Sequence, residues 1–256
     1  MKARLRSSSI PTKRSKNTKR KAAAPAEGWT VQRAIEELRK QGTRRNVAGM
    51  ARFGIRSKEV FGVSKPMLDA VARKIGPNHN LGLRLWATGI HDVRLLAMLI
   101  CEPGRVTNSQ MDKWVREFDN WDVCDGTCCH LFVFAKSAWK KAYAWTSRKA
   151  EFEKRAGFAL AAYLAIHDKH APDSAYRQFF PMIEREAWDE RNFVRKAVNW
   201  ALRSIGKRNL RLNREAIQCA ERIRGNREGA ARWIAADALR ELNSEAVQNR
   251  LKKKGV

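Results

Sequence analysis

From Trp29 onward, apolar residues recur at the 3.6-residue spacing of an amphipathic helix almost without interruption, and this restricts the chain to an all-α fold. The pattern breaks at Gly42, Gly76, Gly89, Pro103-Gly104, Pro172, Gly206 and Gly225, which read as helix ends. Ser64-Lys65-Pro66 opens a helix that closes at Gly76, and Thr107 heads another. No Val/Ile/Thr alternation argues for a sheet. About a dozen helices are expected. Segments 81–88, 93–101, 158–166, 193–205 and 230–242 have the Leu/Ala-rich look of paired helices stacked in a solenoid, although their period is irregular. Such a stack has a concave face.

Charge then narrows the partners. The chain carries 52 Lys plus Arg against 26 Asp plus Glu. Residues 1–28, rich in Lys, Arg, Ser, Ala and Pro, have almost nothing to bury and read as a disordered basic arm, with a single helical domain at 29–256. Outside residues 1–27 the balance is still +18, so the cationic field belongs to the body as well. A basic concave face suits a rod-shaped polyanion, most simply nucleic acid, with acidic proteins and anionic lipid as other candidates. No apolar run reaches the roughly 20 residues of a membrane helix, and the expected location is cytoplasmic. Five Cys without framework spacing point to reduced, packed thiols.

The stretch Asn120-Trp121-Asp122-Val123-Cys124-Asp125 bears most directly on chemistry. On a helix Trp121, Asp125, Cys128 and Phe132 share one face, which puts a carboxylate among apolar neighbours. Asp125 could cap a helix or complement its dipole, but Asn120 and Asp122 are better placed for both tasks. The alternative is an Asp held against an indole in a partly dry place, where its charge counts for more than in water.

In RNFVRKAVNWALRSIGK, Trp200 lies well off the apolar stripe of Val194, Ala197, Val198, Ala201, Leu202 and Ile205, flanked by Lys196 and Arg203. It either packs on a neighbouring helix or meets a sugar or base. Arg155 borders the stripe of Phe152, Ala156, Ala159, Leu160 and Tyr163, and either reaches a phosphate or snorkels. Cys124, Cys128, Cys129 and His130 diverge around a helix and have no C-x-x-C pair, so a metal centre is not expected there. With no Gly-rich phosphate loop, nucleophile elbow or H-E-x-x-H, a nucleotide cofactor is not expected either.

GMARFGI at 49–55, FGVSKP at 61–66, LWATGIHDVRLLAMLI at 85–100, NWDVCD at 120–125 and FVRKAVNWALRSIGK at 193–207 together resemble the AlkD family of DNA alkylation-repair glycosylases. The resemblance runs from about Arg44 to Leu242. It implies a HEAT-like helical-repeat solenoid whose concave basic groove cradles duplex DNA carrying alkylated bases, acting as a monomer. It implies Asp125 as the catalytic carboxylate and Trp121 and Trp200 as indoles lining the lesion nucleotide. Arg155 and Arg203 would contact the DNA backbone, beside Lys196. Catalysis would run through sugar and backbone contacts rather than a deep base pocket. The Cys-rich CDGTCCHLF departs from the best-known members.

Three functions remain in play. The first is a monofunctional glycosylase releasing cationic N3- or N7-alkylated purines. A non-catalytic helical-repeat module for structured nucleic acid is the second. The third, a protein-binding solenoid, is disfavoured by the basic body.

Overall fold

The computed structural model describes residues 28–55, 57–225 and 229–253. Fifteen α-helices and no strand occur among them. They are α1 (Val31–Gln41), α2 (Arg44–Arg52), α3 (Lys65–Ile75), α4 (His79–Trp86), α5 (His91–Ile100), α6 (Asn108–Arg116), α7 (Trp121–His130) and α8 (Ala138–Trp145). The second half holds α9 (Glu151–His167), α10 (Asp173–Arg177), α11 (Phe179–Glu186), α12 (Asn192–Gly206), α13 (Leu210–Arg224), α14 (Gly229–Leu242) and α15 (Glu245–Lys253). The expected arm, but for Gly28, lies outside the described residues.

Helix starts follow from local chemistry. Thr30, Thr43, Asn78, Thr107, Asn120 and Asn209 each accept a backbone N–H of the following first turn. Each such cap contributes about 1 kcal/mol. Gly76, at φ 73, ends α3 in a conformation that side chains resist.

Side-chain links between successive helix pairs reveal the repeat. In the middle of the chain they join residues 28 to 30 apart, as in Cys124 to Phe152, Cys128 to Ala156 and Asp125 to Arg155. In the C-terminal half they join residues 38 apart, as in Arg177 to Glu215, Asn199 to Asp237 and Arg222 to Glu184. The sequence period looks irregular because two repeat lengths are spliced into one stack. Helix α9 sits at the centre, packed on α7, α8 and α12. Gly157 lets it approach closely, since a Cβ there would lie 2.6 Å from the Thr146 nitrogen.

The core is continuous along the stack. Trp86 and Trp114 stack with centroids 3.8 Å apart, and Phe132 and Trp145 extend the aromatic row. Here the structure corrects one expectation: α7 stops at His130, and Phe132 begins a short 3-10 turn, so it does not share a helical face with Asp125. Its ring joins the core instead. Near the N-terminus, buried Asp92 accepts the backbone N–H groups of Phe61 (2.6 Å) and Val63 (2.7 Å), pinning the loop that leads into α3. Helix α2 has no buried residue of its own and is held at its edge by the Asn46 amide, which donates to the Gly62 carbonyl at 2.8 Å.

Candidate active site

Asn120 starts α7 by accepting the N–H groups of Asp122 and Val123, both at 3.0 Å. Its own amide donates to Ser57 and Asp119 and faces the buried His91, so the first turn is fixed from three sides. Asp125 follows one turn after Trp121 and is 16% exposed at the inner edge of α7. From α9, Arg155 reaches it as a fork: Nε donates to Oδ1 at 2.8 Å and Nη2 to Oδ2 at 2.7 Å. The third guanidinium arm, Nη1, donates to the Phe193 carbonyl on α12 at 2.7 Å. One arginine therefore joins three helices at the carboxylate.

Burial pushes the Asp125 carboxyl above its ordinary range, while the charge and hydrogen bonds of Arg155 pull it back toward the ionised form. Each carboxylate oxygen has two lone-pair directions, and Arg155 uses one on each. The others remain for water or ligand.

The carboxylate borders two spaces. The first is a cleft of about 530 Å³ lined by Arg52, Phe53, Gly54, Trp121, Arg155, Asn192, Phe193 and Lys196. The second is a cavity of about 330 Å³ between α3, α5, α7 and α9. Trp121 forms part of both walls. Its indole N–H donates to the Phe53 carbonyl at 2.9 Å, tying α7 to the turn after α2. Gly54, at φ 80, places that turn against Phe193; a Cβ there would lie 3.1 Å from the ring.

Asp125, Trp121, Arg155 and Lys196 thus converge on one cleft. Trp200 is half-buried and lines neither space; its indole meets the Tyr163 ring edge-on at 4.8 Å, and Tyr163 lines the smaller cavity. Arg203 lies further along α12, where Asp237 at 3.3 Å and Glu241 hold it and Lys207 pairs with the same Glu241. A phosphate would have to compete with those carboxylates. Arg155 likewise is occupied by Asp125 and only 8% exposed, whereas Lys196 is exposed. Residue-level reasoning did not single out Arg52, Phe53, Phe193 or Tyr163 as site residues. Phe53, 73% exposed, breaks the rule that large aromatics bury, but exposure is not readable from a helical wheel of α2 alone.

Cys124 and Cys128 are buried and donate weakly to the Phe152 and Ala156 carbonyls. They act as packed thiols between α7 and α9. No cluster suited to a metal ion occurs among the described residues.

Stacked helices with two repeat lengths and a cleft lined from α2, α7, α9 and α12 define a HEAT-like helical-repeat protein. The fold is similar to that of a solved structure described as "a new family of proteins related to the HEAT-like repeat DNA glycosylases with affinity for branched DNA structures". The likeness has a TM-score of 0.70 and 21% identity over 87% of this chain and 96% of the other. Residues 34–242 match the family described as DNA alkylation repair enzyme, and the chain belongs to that family. No curated protein matches it. Among the described residues, no helix is long and apolar enough to cross a membrane.

Proposed function

We propose that the protein is a monofunctional DNA glycosylase that hydrolyses the N-glycosidic bond of cationic N3- or N7-alkylated purines in duplex DNA. The observation that carries this reading is the forked Asp125–Arg155 pair in the wall of a basic cleft, beside the Trp121 indole. Alkylation at N3 or N7 makes the base a cation, so it departs neutral and needs no general acid. As the glycosidic bond lengthens, positive charge grows on the sugar, as in glycoside hydrolysis. Asp125 faces that charge and orients the attacking water through its free lone pairs, and removing one such group costs about 3 to 4 kcal/mol in enzymes where it has been done. The Trp121 face favours the same cationic character. Arg155 favours the ionised carboxylate against the effect of burial and aims it. Lys196 and Arg52 supply cations for the DNA backbone at the cleft rim, and acting as a monomer suffices because one chain builds the whole cleft.

The test is release of free base from randomly methylated duplex DNA by the wild type and by Asp125→Asn. Release of methylated purines by the wild type alone supports the proposal; equal release by the variant removes Asp125 from catalysis. Trapping of a covalent adduct by borohydride would contradict the monofunctional assignment, since Lys196 and Lys65 both border spaces that include Asp125.

A second reading has one observation in its favour: the structurally similar protein is described by its affinity for branched DNA. A non-catalytic module would bind a four-way junction more tightly than a methylated duplex and release no base. The forked carboxylate favours the first reading, because a binding module gains nothing by keeping an anion in its cleft.

A further inference from the structure

We propose that Arg195 and Trp233 form a clamp for one phosphate and deoxyribose of duplex DNA, on the seam between α12 and α14 beside the cleft. The clamp rests on the DNA binding proposed above and not on base release.

The seam is a ladder whose rungs join residues 38 positions apart. Asn199 donates to Asp237 at 2.7 Å and Arg203 pairs with Glu241, so two rungs end in a carboxylate. One turn earlier in both helices, the same register brings Arg195 to Trp233, with the guanidinium carbon 5.4 Å from the ring centroid. An indole stands where the following two rungs place an anion. A carboxylate would neutralise the cation, whereas the electron-rich ring holds a guanidinium and leaves its charge available.

The cations of this segment sort accordingly. Arg191, just before α12, pairs with Asp189, and Arg203 and Lys207 share Glu241. Among the described residues no carboxylate pairs with Arg195 or Lys196. Lys196 lines the cleft, and Arg195, its neighbour in sequence, faces α14. The Nε of Arg195 is buried without a hydrogen-bond partner, while its Nη groups donate to no described protein atom and stay open to solvent. Two adjacent cations without internal anions suit the phosphates of a DNA backbone.

Trp233 is not an edge of the core. Helix α14 buries Ala230, Ala231, Ile234, Ala235, Ala238 and Leu242, and Trp233 lies off that face, 38% exposed. A flat ring beside a free guanidinium matches the two halves of a nucleotide backbone: the sugar packs on the indole and the phosphate accepts from the arginine. Duplex backbone is favoured over an unpaired base because a duplex presents its sugars and phosphates while its bases stay stacked.

The test measures binding of the full chain to an intact duplex, and to the same duplex bearing a single-stranded arm, over a range of salt. Wild type, Arg195→Gln, Trp233→Ala and the double variant are compared, each with a thermal melt. Arg195→Gln should weaken duplex binding about 3- to 10-fold and flatten the salt slope by about one unit. Trp233→Ala should weaken it about 5- to 10-fold with little change in slope, because the ring carries no charge. The double variant should lose less than the product of the two, since both serve one clamp. Folded variants with wild-type duplex affinity and slope overturn the proposal, and a lowered melting temperature alone makes the pair a structural rung. Loss confined to the armed DNA overturns it in favour of an unpaired base as the occupant. Should Trp233→Ala fail to fold, Arg195→Gln decides alone. A wild type that binds duplex but releases no base removes the glycosylase reading and leaves the clamp standing; absence of DNA binding removes both.

Discussion

Arg155 grips both oxygens of Asp125 while its remaining arm holds the Phe193 carbonyl, so one side chain of α9 ties the carboxylate of α7 to α12. Removing the guanidinium leaves a buried carboxylate without a partner, which costs about 3 kcal/mol or is avoided by protonation. Arg155→Ala should therefore lower the melting temperature and shift the acid limb of the pH-rate profile upward. The sign follows from cause: burial raises the Asp125 pKa and Arg155 lowers it, so losing Arg155 raises it further. Arg155→Lys keeps the charge and loses the fork, and its limb should fall between the two. A profile unmoved in Arg155→Ala would show that the pair does not govern the reacting carboxylate.

The α2 turn is expected to govern access to the cleft. Trp121→Phe deletes one indole hydrogen bond to Phe53, worth about 1 kcal/mol, and Gly54→Ala forces a side chain into a left-handed conformation at a cost of about 1 kcal/mol or more. Because α2 buries no residue of its own, both effects should be local. Hydrogen exchange at residues 50–55 should quicken while the global melting temperature changes by no more than a few degrees. Exchange unchanged in both variants would mean that the turn is held by other contacts.

Lys196 and Arg203 make a contrasting pair on α12. Lys196→Ala should weaken DNA binding to all sequences alike and flatten the salt slope by about one unit. Arg203→Ala should instead act mainly on stability, since it leaves Glu241 and Asp237 with fewer cations. Titrating duplex DNA at several salt concentrations, alongside thermal melts, separates the two; a reversed pattern would restore Arg203 as the phosphate contact.

Asp189, in the loop before α12, receives two hydrogen bonds from the Arg191 side chain and one from Lys154 at 3.0 Å. These bonds, with Arg191 contributing most, hold its pKa at about 2 against an ordinary 3.8. A depressed carboxylate stabilises the fold above its unfolded pKa and loses that contribution as pH falls through the folded value. Between about pH 4 and pH 2 the protein should lose on the order of 1 to 2 kcal/mol from this site, discounted for the partly exposed Arg191. Asp189→Asn should be less stable at pH 7 and show a shallower acid decline, as acid titration followed by circular dichroism would detect.

Helix identity, the main breaks and the placing of Asp125 beside Trp121 were readable from the sequence, because 3.6-residue periodicity, glycines and capping residues act within a few positions of themselves. The NWDVCD stretch is such a local signal: Asn120 caps the helix, and Trp121 and Asp125, one turn apart, both border the cleft. Tertiary structure alone decided what the neighbours do. Arg155 lies 30 residues from Asp125 and Phe193 a further 38 from Arg155, and no local rule connects them; only the stacking of α7, α9 and α12 sets the fork. Arg203 reads as a free cation on a helical wheel, yet α14 brings two carboxylates to it. The cavity between α3, α5, α7 and α9 is a property of packing, so its walls are contributed by residues as distant as Met50 and Tyr163. Short-range physics writes the helices into the sequence, whereas charge pairing and cavities depend on which helices meet.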